Sequence, residues 1–239
     1  MAVFNGDQFL KRQLDSILVQ LSENDEIVIV DDASNDETIA VVESFHDSRI
    51  HVMRNAINIG PLKSFERALA EAKGDYIFFA DQDDYWLPNK VETVVASFVN
   101  SKALAIVTDA KVVNSREDLV YESYSQWRNS GPGLLKNFYK NTFLGCCMAI
   151  RKECKEFLLP FPPFAYMHDR WIGLACTAVG TVSFLPQQLL IYHRHEKTVT
   201  KMQRSGVGQI IKLRFFLFLS LLSASPRLLY WRKKYSAAA

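Results

Sequence analysis

The feature that most limits what this chain can fold into is a repeated apolar run that stops abruptly at acidic residues. Glu26-Ile27-Val28-Ile29-Val30 is apolar almost throughout and ends in Asp31-Asp32, and residues 75–80 end in Asp81-Gln82-Asp83-Asp84. Residues 50–53 and 103–107 are two further strand-like runs, without the acidic ending. A strand wetted on one face alternates polar and apolar residues; these do not, so both faces are expected to be covered. Between them, residues 9–21, 37–45, 62–72 and 88–98 carry apolar side chains near helical spacing. Asn35 or Asp36 before Glu37, and Pro88 in a first turn, mark helix starts. The pattern predicts an α/β fold, a mostly parallel sheet flanked by helices.

The second half is less regular. Residues 114–133 are polar and aromatic, contain Gly131-Pro132-Gly133, and read as a long loop. Residues 145–150 read as a strand, 168–179 as a helix and 181–193 as one or two strands. The expected domain spans residues 1–200, followed by an apolar and basic helical extension at 201–235, which Pro226 is expected to break. Residues 236–239 read as a cloning remnant. Met1 to Phe4 resembles the end of a strand, so the chain reads as a fragment or as having a late-assigned start.

Charge separates the same two parts. Residues 1–193 carry 18 basic and 25 acidic groups, whereas residues 194–239 carry ten and one. An acidic body argues against nucleic-acid binding, and a basic tail suits an anionic phospholipid surface. The longest uncharged apolar run, residues 215–225, is 11 residues long. A bilayer span needs roughly 20, so no transmembrane helix is expected. The tail reads instead as lying in a membrane interface, or else as packed on the domain's own core or on a dimer partner. No secretory signal is recognisable, and four cysteines without metal-ligand spacing fit a reducing, cytoplasmic setting.

In open α/β sheets ligands bind beyond the carboxyl ends of the strands. Asp31-Asp32 reads equally as a helix cap and as a site. Asp81 to Asp84 is harder to explain as a cap, because three carboxylates in four residues repel one another and a cap needs only one. A hard divalent cation, Mg²⁺ or Mn²⁺, would relieve that repulsion and leave positions open for phosphate oxygens. There is no G-x-x-x-x-G-K-[ST] and no G-x-G-x-x-G. What remains is a metal–diphosphate site without a glycine-rich loop, which fits a nucleotide-sugar donor.

These residues carry a resemblance. Residues 2–6 (AVFNG), 29–36 (IVDDASND), 58–60 (NIG) and 81–86 (DQDDYW) resemble glycosyltransferase family 2, whose fold is GT-A. The resemblance continues through 141–149 (NTFLGCCMA), 168–171 (HDRW) and 192–195 (YHRH), and it is nearest to bacterial rhamnosyltransferase-like enzymes of surface polysaccharide synthesis. It implies a metal-dependent inverting transfer of a sugar, such as rhamnose from dTDP-rhamnose, onto a glycan or polyprenyl-linked acceptor. Such an enzyme would sit in the cytoplasm on the inner face of the plasma membrane. A UDP-hexose donor, or a non-catalytic nucleotide- or glycan-binding homologue, are the alternatives.

The resemblance also implies roles. Asp32 would accept the base's imide N–H, with Asn5 and the Val3 backbone in the same pocket. Asp81, Gln82 and Lys63 would face the nucleotide, Lys63 alternatively being a solvated helix residue. Asp83 and His195 would hold the metal. Asp169 would be the base, although alone it reads as a helix cap. His168, Trp86 and Trp171 are candidates for the acceptor, the tryptophans by stacking on sugar rings or else as core.

Overall fold

A computed structural model of the 239-residue chain describes residues 1–194 and 206–237. The first part runs β1 (Ala2–Val3), α1 (Asp7–Leu18), β2 (Ile27–Asp31), α2 (Thr38–Glu43), β3 (Ile50–Arg54), α3 (Pro61–Glu71) and β4 (Tyr76–Phe78). Then come β5 (Tyr85–Trp86), α4 (Lys90–Val99), β6 (Ala105–Asn114), β7 (Leu119–Tyr121), α5 (Tyr124–Arg128) and α6 (Leu134–Tyr139). The chain continues with β8 (Met148–Arg151), α7 (Lys155–Leu158), α8 (His168–Val179), β9 (Val182–Arg194) and α9 (Val207–Ala237).

The α/β expectation holds, with helices covering the sheets. β1, β2 and β3 form a parallel sheet in that order. The second sheet, ordered β4-β8-β6-β9-β5 with β7 beside β6, is mixed. Its longest ladder, β6 with β9, is parallel, whereas β4–β8, β6–β8, β5–β9 and β6–β7 are antiparallel. Parallelism was expected from continuous apolar runs, but such a run reports only that both faces are covered, and an antiparallel strand buried on both sides produces it equally well. Leu10, Leu14 and Ile17 of α1 and Phe65 and Leu69 of α3 enter the main core at helical spacing.

The carboxyl end of β1 is tied to the loop after β4 by one side chain. The Phe4 N–H donates to Gln82 Oε1 at 2.8 Å, and Gln82 Nε2 donates to the Phe4 carbonyl at 3.1 Å. The amide thus bridges the two sheets as a strand backbone would, and brings the acidic loop beside residues 4–6.

Residues 114–133 are more ordered than a loop: they hold the end of β6's partner β7 and helix α5. Ser123 caps α5 by accepting the Gln126 N–H at 3.0 Å, and its hydroxyl donates to buried Asp109 of β6. Asp109 also accepts the Ser125 N–H at 2.8 Å. A helix of five residues is too short to show a period.

Helix α9 corrects two expectations. It runs through Pro226, and by length and composition it is apolar enough to cross a membrane. Pro226 has no N–H for the carbonyl of Leu222. The Ser225 hydroxyl donates to that carbonyl at 2.8 Å instead, so no acceptor is stranded. One face of α9, with Leu217, Ser220, Ala224 and Leu228, is buried on the domain. Arg227 donates to the carbonyls of Leu159 and Pro160 at 2.5 and 3.1 Å, and Arg214 to that of Tyr139 at 3.2 Å. Burying a Leu side chain contributes about 1.5–3 kcal/mol, so this docking is substantial.

Candidate active site

Two acidic loops meet at the carboxyl ends of the strands, and their surroundings differ. In the first, the Asp32 carboxylate accepts from Asn55 Nδ2 at 2.8 Å, the Ile59 N–H at 2.9 Å and the Gly60 N–H at 2.8 Å. Gly60 has φ +86°, a region that favours glycine, and α3 begins one residue later with Pro61. Burial pushes the Asp32 carboxyl upward, but these bonds, with Ser64, outweigh it and hold the group below its ordinary value. Asp31, also buried, pairs with Arg54 Nε at 3.0 Å. Asn5 sits at φ 48°, accepts the Asn35 N–H at 2.9 Å and donates its own N–H to Ser34 Oγ at 2.9 Å. Val3 is buried, and its carbonyl accepts the Asp32 N–H at 2.8 Å.

In the second loop, burial and mutual repulsion outweigh the groups that would lower Asp81 and Asp84. Burial, reinforced by the charges of Asp83 and Asp169, pushes Asp81 up to about 7. Asp84 is buried and raised well above the ordinary carboxylate range by burial and then by Asp83 and Asp81. Its Oδ1 accepts the His193 N–H at 3.1 Å, while its Oδ2 has no hydrogen-bond partner. Below the loop lies Lys90, fully buried, whose ammonium donates to the Cys146 carbonyl at 2.8 Å and stands 4.7 Å from the Trp86 ring centre.

Asp169, the second residue of α8, completes the group. Asn141 Nδ2 donates to its Oδ2 at 3.0 Å, and the Arg170 N–H to its Oδ1 at 2.6 Å. Burial pushes its carboxyl up to about 6, against the opposing pull of those two donors and of the Arg170 charge. Tyr124 and Tyr192, edge-to-face at 6.0 Å, stand nearby, and burial raises both phenols. The arrangement offers carboxylates for a cation beside a buried carboxyl that takes up and releases a proton near neutral pH.

The sequence profile of glycosyl transferase family 2 matches residues 1–157. The chain belongs to that family. It is 27% identical over 184 residues to the UDP-Glc:alpha-D-GlcNAc-diphosphoundecaprenol beta-1,3-glucosyltransferase WfgD of Escherichia coli, covering 77% of this chain and 70% of that one. It is 30% identical over 172 residues to the dTDP-rhamnosyl transferase RfbG of Shigella flexneri, covering 66% of this chain and 57% of that one. The chain thus spans little more than half of the RfbG length, and 62% of another related glycosyltransferase, from Nostoc sp.. Among solved structures, residues 1–349 of S. aureus TarS in complex with UDP-GlcNAc superpose with a TM-score of 0.67 at 17% identity, over 96% of this chain and 69% of that one. This likeness shows the GT-A-type fold.

Within this family-2 fold, three acceptor candidates are packed into the core. Trp86 is only 4% exposed, its backbone N–H donates to Ser16 Oγ at 3.0 Å, and its ring is tilted against Phe78. Trp171, 1% exposed, donates from its indole to the Leu158 carbonyl at 3.2 Å. His168 is stacked on Phe65 at 3.8 Å, and burial pushes its imidazole down to about 3. All three are core, because bulk that suits a sugar ring equally suits a sheet–helix interface. Gln82 faces the Phe4 backbone with both ends of its amide, and Lys63 pairs with Glu66 at 2.6 Å on an exposed face of α3. His195 lies outside the described residues; its neighbour Arg194 stands over Trp127 at 5.5 Å.

Three residues of the site were not singled out from sequence. Asn141 orients Asp169, and its only signal was membership of a family-like block. Asp84 was visible as a third carboxylate but not as the buried one. Lys90 gave no signal, since a lysine opening an amphipathic helix reads as solvated.

Proposed function

We propose that this chain is the catalytic part of a metal-dependent inverting glycosyltransferase, with Asp169 as the general base. The observation that carries the reading is the proton-active Asp169 carboxyl held by Asn141 across from Asp81. Burial poises it to accept a proton from an acceptor hydroxyl near neutral pH, the range in which general bases work best. With Asp169 as the one base, the reading is single displacement with inversion at the anomeric carbon, as the family resemblance implies.

The donor end is assigned to the first loop. Asp32, its carboxylate fixed by Asn55 and the Ile59 and Gly60 N–H groups, would take an imide N–H of a uracil or thymine base. Asn5 and Val3 would line the same pocket, with Asp81 toward the ribose. Gln82 would act by holding Phe4 in place, and Lys63 from the pocket's margin. Asp81 and Asp83 offer hard carboxylate oxygen, a donor set that suits Mg²⁺ or Mn²⁺. Asp83, with His195 as a further candidate, would hold the ion. Once bound, a divalent ion neutralises charge on a departing nucleoside diphosphate.

The named relatives point to two donors, dTDP-rhamnose and UDP-glucose. Thermal shifts with dTDP, UDP, GDP and CMP, each with and without Mn²⁺, separate them. A ligand at a hundredfold excess over Kd stabilises by about 2.7 kcal/mol. One nucleotide giving a Mn²⁺-dependent shift supports the reading and names the donor; no shift with any supports a non-catalytic homologue.

The acceptor is proposed to be a growing glycan on a polyprenyl lipid, met at the inner face of the plasma membrane. What supports this is the free face of α9, where Ile211, Phe215, Phe218, Leu222 and Leu229 are exposed at steps of three, four or seven residues. Lys212 and Arg214 at one end and Arg232, Lys233 and Lys234 at the other flank the stripe, and the helix has no acid. Two such helices repel, whereas an anionic bilayer fits both the charge and the apolar stripe. Phe218→Glu with Leu222→Glu should abolish sedimentation with phosphatidylglycerol vesicles while leaving the melting temperature unchanged; retained sedimentation refutes the membrane assignment.

A further inference from the structure

The acidic loop faces a sulfur atom that the donor-side reading does not use. A carboxylate oxygen of Asp81, one of Asp84 and the Sγ of Cys146 all lie within 4.8 Å of one another. Cys146 stands in a single turn of 3-10 helix (Gly145–Cys147) just before β8 and is fully buried. The second, independent observation is Asp84 Oδ2: the residue is 1% exposed, and this oxygen has no hydrogen-bond partner.

We propose that Asp81, Asp84 and Cys146 form a second cation site, selective for a thiophilic divalent ion of the Zn²⁺ class and distinct from the hard-ion position at Asp83. Tetrahedral Zn²⁺, with bonds of about 2.3 Å to sulfur and 2.0 Å to oxygen, sets its ligands roughly 3.3–3.5 Å apart. The three atoms therefore need to draw in by about 1 Å, within reach of side-chain rotation and within the tolerance of a loop. Mg²⁺ rejects sulfur, whereas thiolate selects softer ions. Asp81 is partly exposed and offers the way in. Binding releases to solvent the Cys146 proton and those that the Asp84 and Asp81 carboxyls hold, leaving three anions, a divalent cation and the Lys90 ammonium, which is bonded to the Cys146 carbonyl at 2.8 Å. That set is neutral, which is what a buried cluster requires. Because Asp81 serves both positions, Zn²⁺ in the deep site withdraws it from the donor, and Zn²⁺ is an inhibitor that raised Mg²⁺ does not relieve.

The test is a Co²⁺ titration of the reduced full chain, followed by the thiolate-to-cobalt charge-transfer absorption in the near ultraviolet. The expected result is a band saturating at one equivalent, lost in Cys146→Ser, retained in Cys147→Ser, and displaced by one equivalent of Zn²⁺ but not by a large excess of Mg²⁺. Asp84→Asn, which keeps the thiol and the acceptor for His193, should weaken Co²⁺ binding at least tenfold with the band still visible at saturation. Absence of a band in the wild-type protein overturns the proposal. So does a band that survives Cys146→Ser, or one that Mg²⁺ displaces as readily as Zn²⁺. None of these readouts depends on glycosyl transfer.

Discussion

Two loops follow two buried strands, both end their strands in acids, and the fold treats them in opposite ways. In residues 31–36 every carboxylate is answered: Asp31 by Arg54, Asp32 by Asn55 and two backbone N–H groups, Asp36 by Thr38. In residues 81–84 the acids face one another, Asp169 and a thiol, and Asp84 keeps a buried oxygen without a partner. The satisfied loop is a shaped surface, rigid without a ligand. The unsatisfied loop stores repulsion that a cation or a proton relieves. Acid composition at a strand end therefore does not identify chemistry; the count of donors that the rest of the fold supplies does.

The contrast can be broken or sharpened by substitution, beginning with the largest effect. Asp169→Asn should lower transfer by about 10²- to 10⁴-fold, the usual contribution of a general base, with nucleotide-induced thermal shifts unchanged. Transfer at the wild-type rate removes Asp169 from the mechanism. Asp32→Ala strands the donors of Asn55, Ile59 and Gly60, so chemical denaturation should report a loss of about 1–3 kcal/mol. Asp84→Asn should do the reverse in metal-free protein, leaving the melting temperature equal or higher, because it removes a buried group that is costly to ionise while keeping an acceptor for the His193 N–H.

The two loops should also part in their pH dependence. Asp169 has a folded value raised to about 6, above its ordinary 3.8, so its contribution to stability is present at low pH and is lost as pH rises through 6. Asp32 is depressed, so its contribution is present above 3.8 and is lost as pH falls below it. Metal-free protein should accordingly lose stability between pH 4 and 7 in melting experiments, less steeply in Asp169→Asn, and transfer activity should climb over the interval around pH 6. A flat profile in both measurements contradicts the poised carboxyl. Smallest of all, Lys63→Ala should change stability by under about 0.5 kcal/mol, since it removes one exposed ion pair.

Much of this arrangement was legible before any coordinates. The α/β class, the acids at the ends of β2 and β4, and the place of Asp169 at the start of α8 follow from apolar runs, turn residues and motif order. Those signals are local: burial on both faces of a strand, or an acid at a strand's end, is set by a few neighbouring residues. What the sequence left open has one cause. Trp86, Trp171 and His168 are amphipathic in chemistry, and only the packing against Phe78, Leu158 and Phe65 decides which of their two faces counts. Pro226 breaks a helix by itself, yet Ser225 supplies the missing donor from one residue away.

What the sequence determined alone is the α/β class, most strands and helices of the first half, and the family to which they belong. What only the tertiary structure decided is partnership. Asn141 reaches Asp169 across 28 positions, Lys90 reaches the Cys146 carbonyl across 56, and Asp84 meets the His193 N–H across 109. Hydrogen bonds and charge interactions act over a few ångströms in space whatever the separation along the chain, so whether a carboxylate is quieted or left ready to react is a property of the fold.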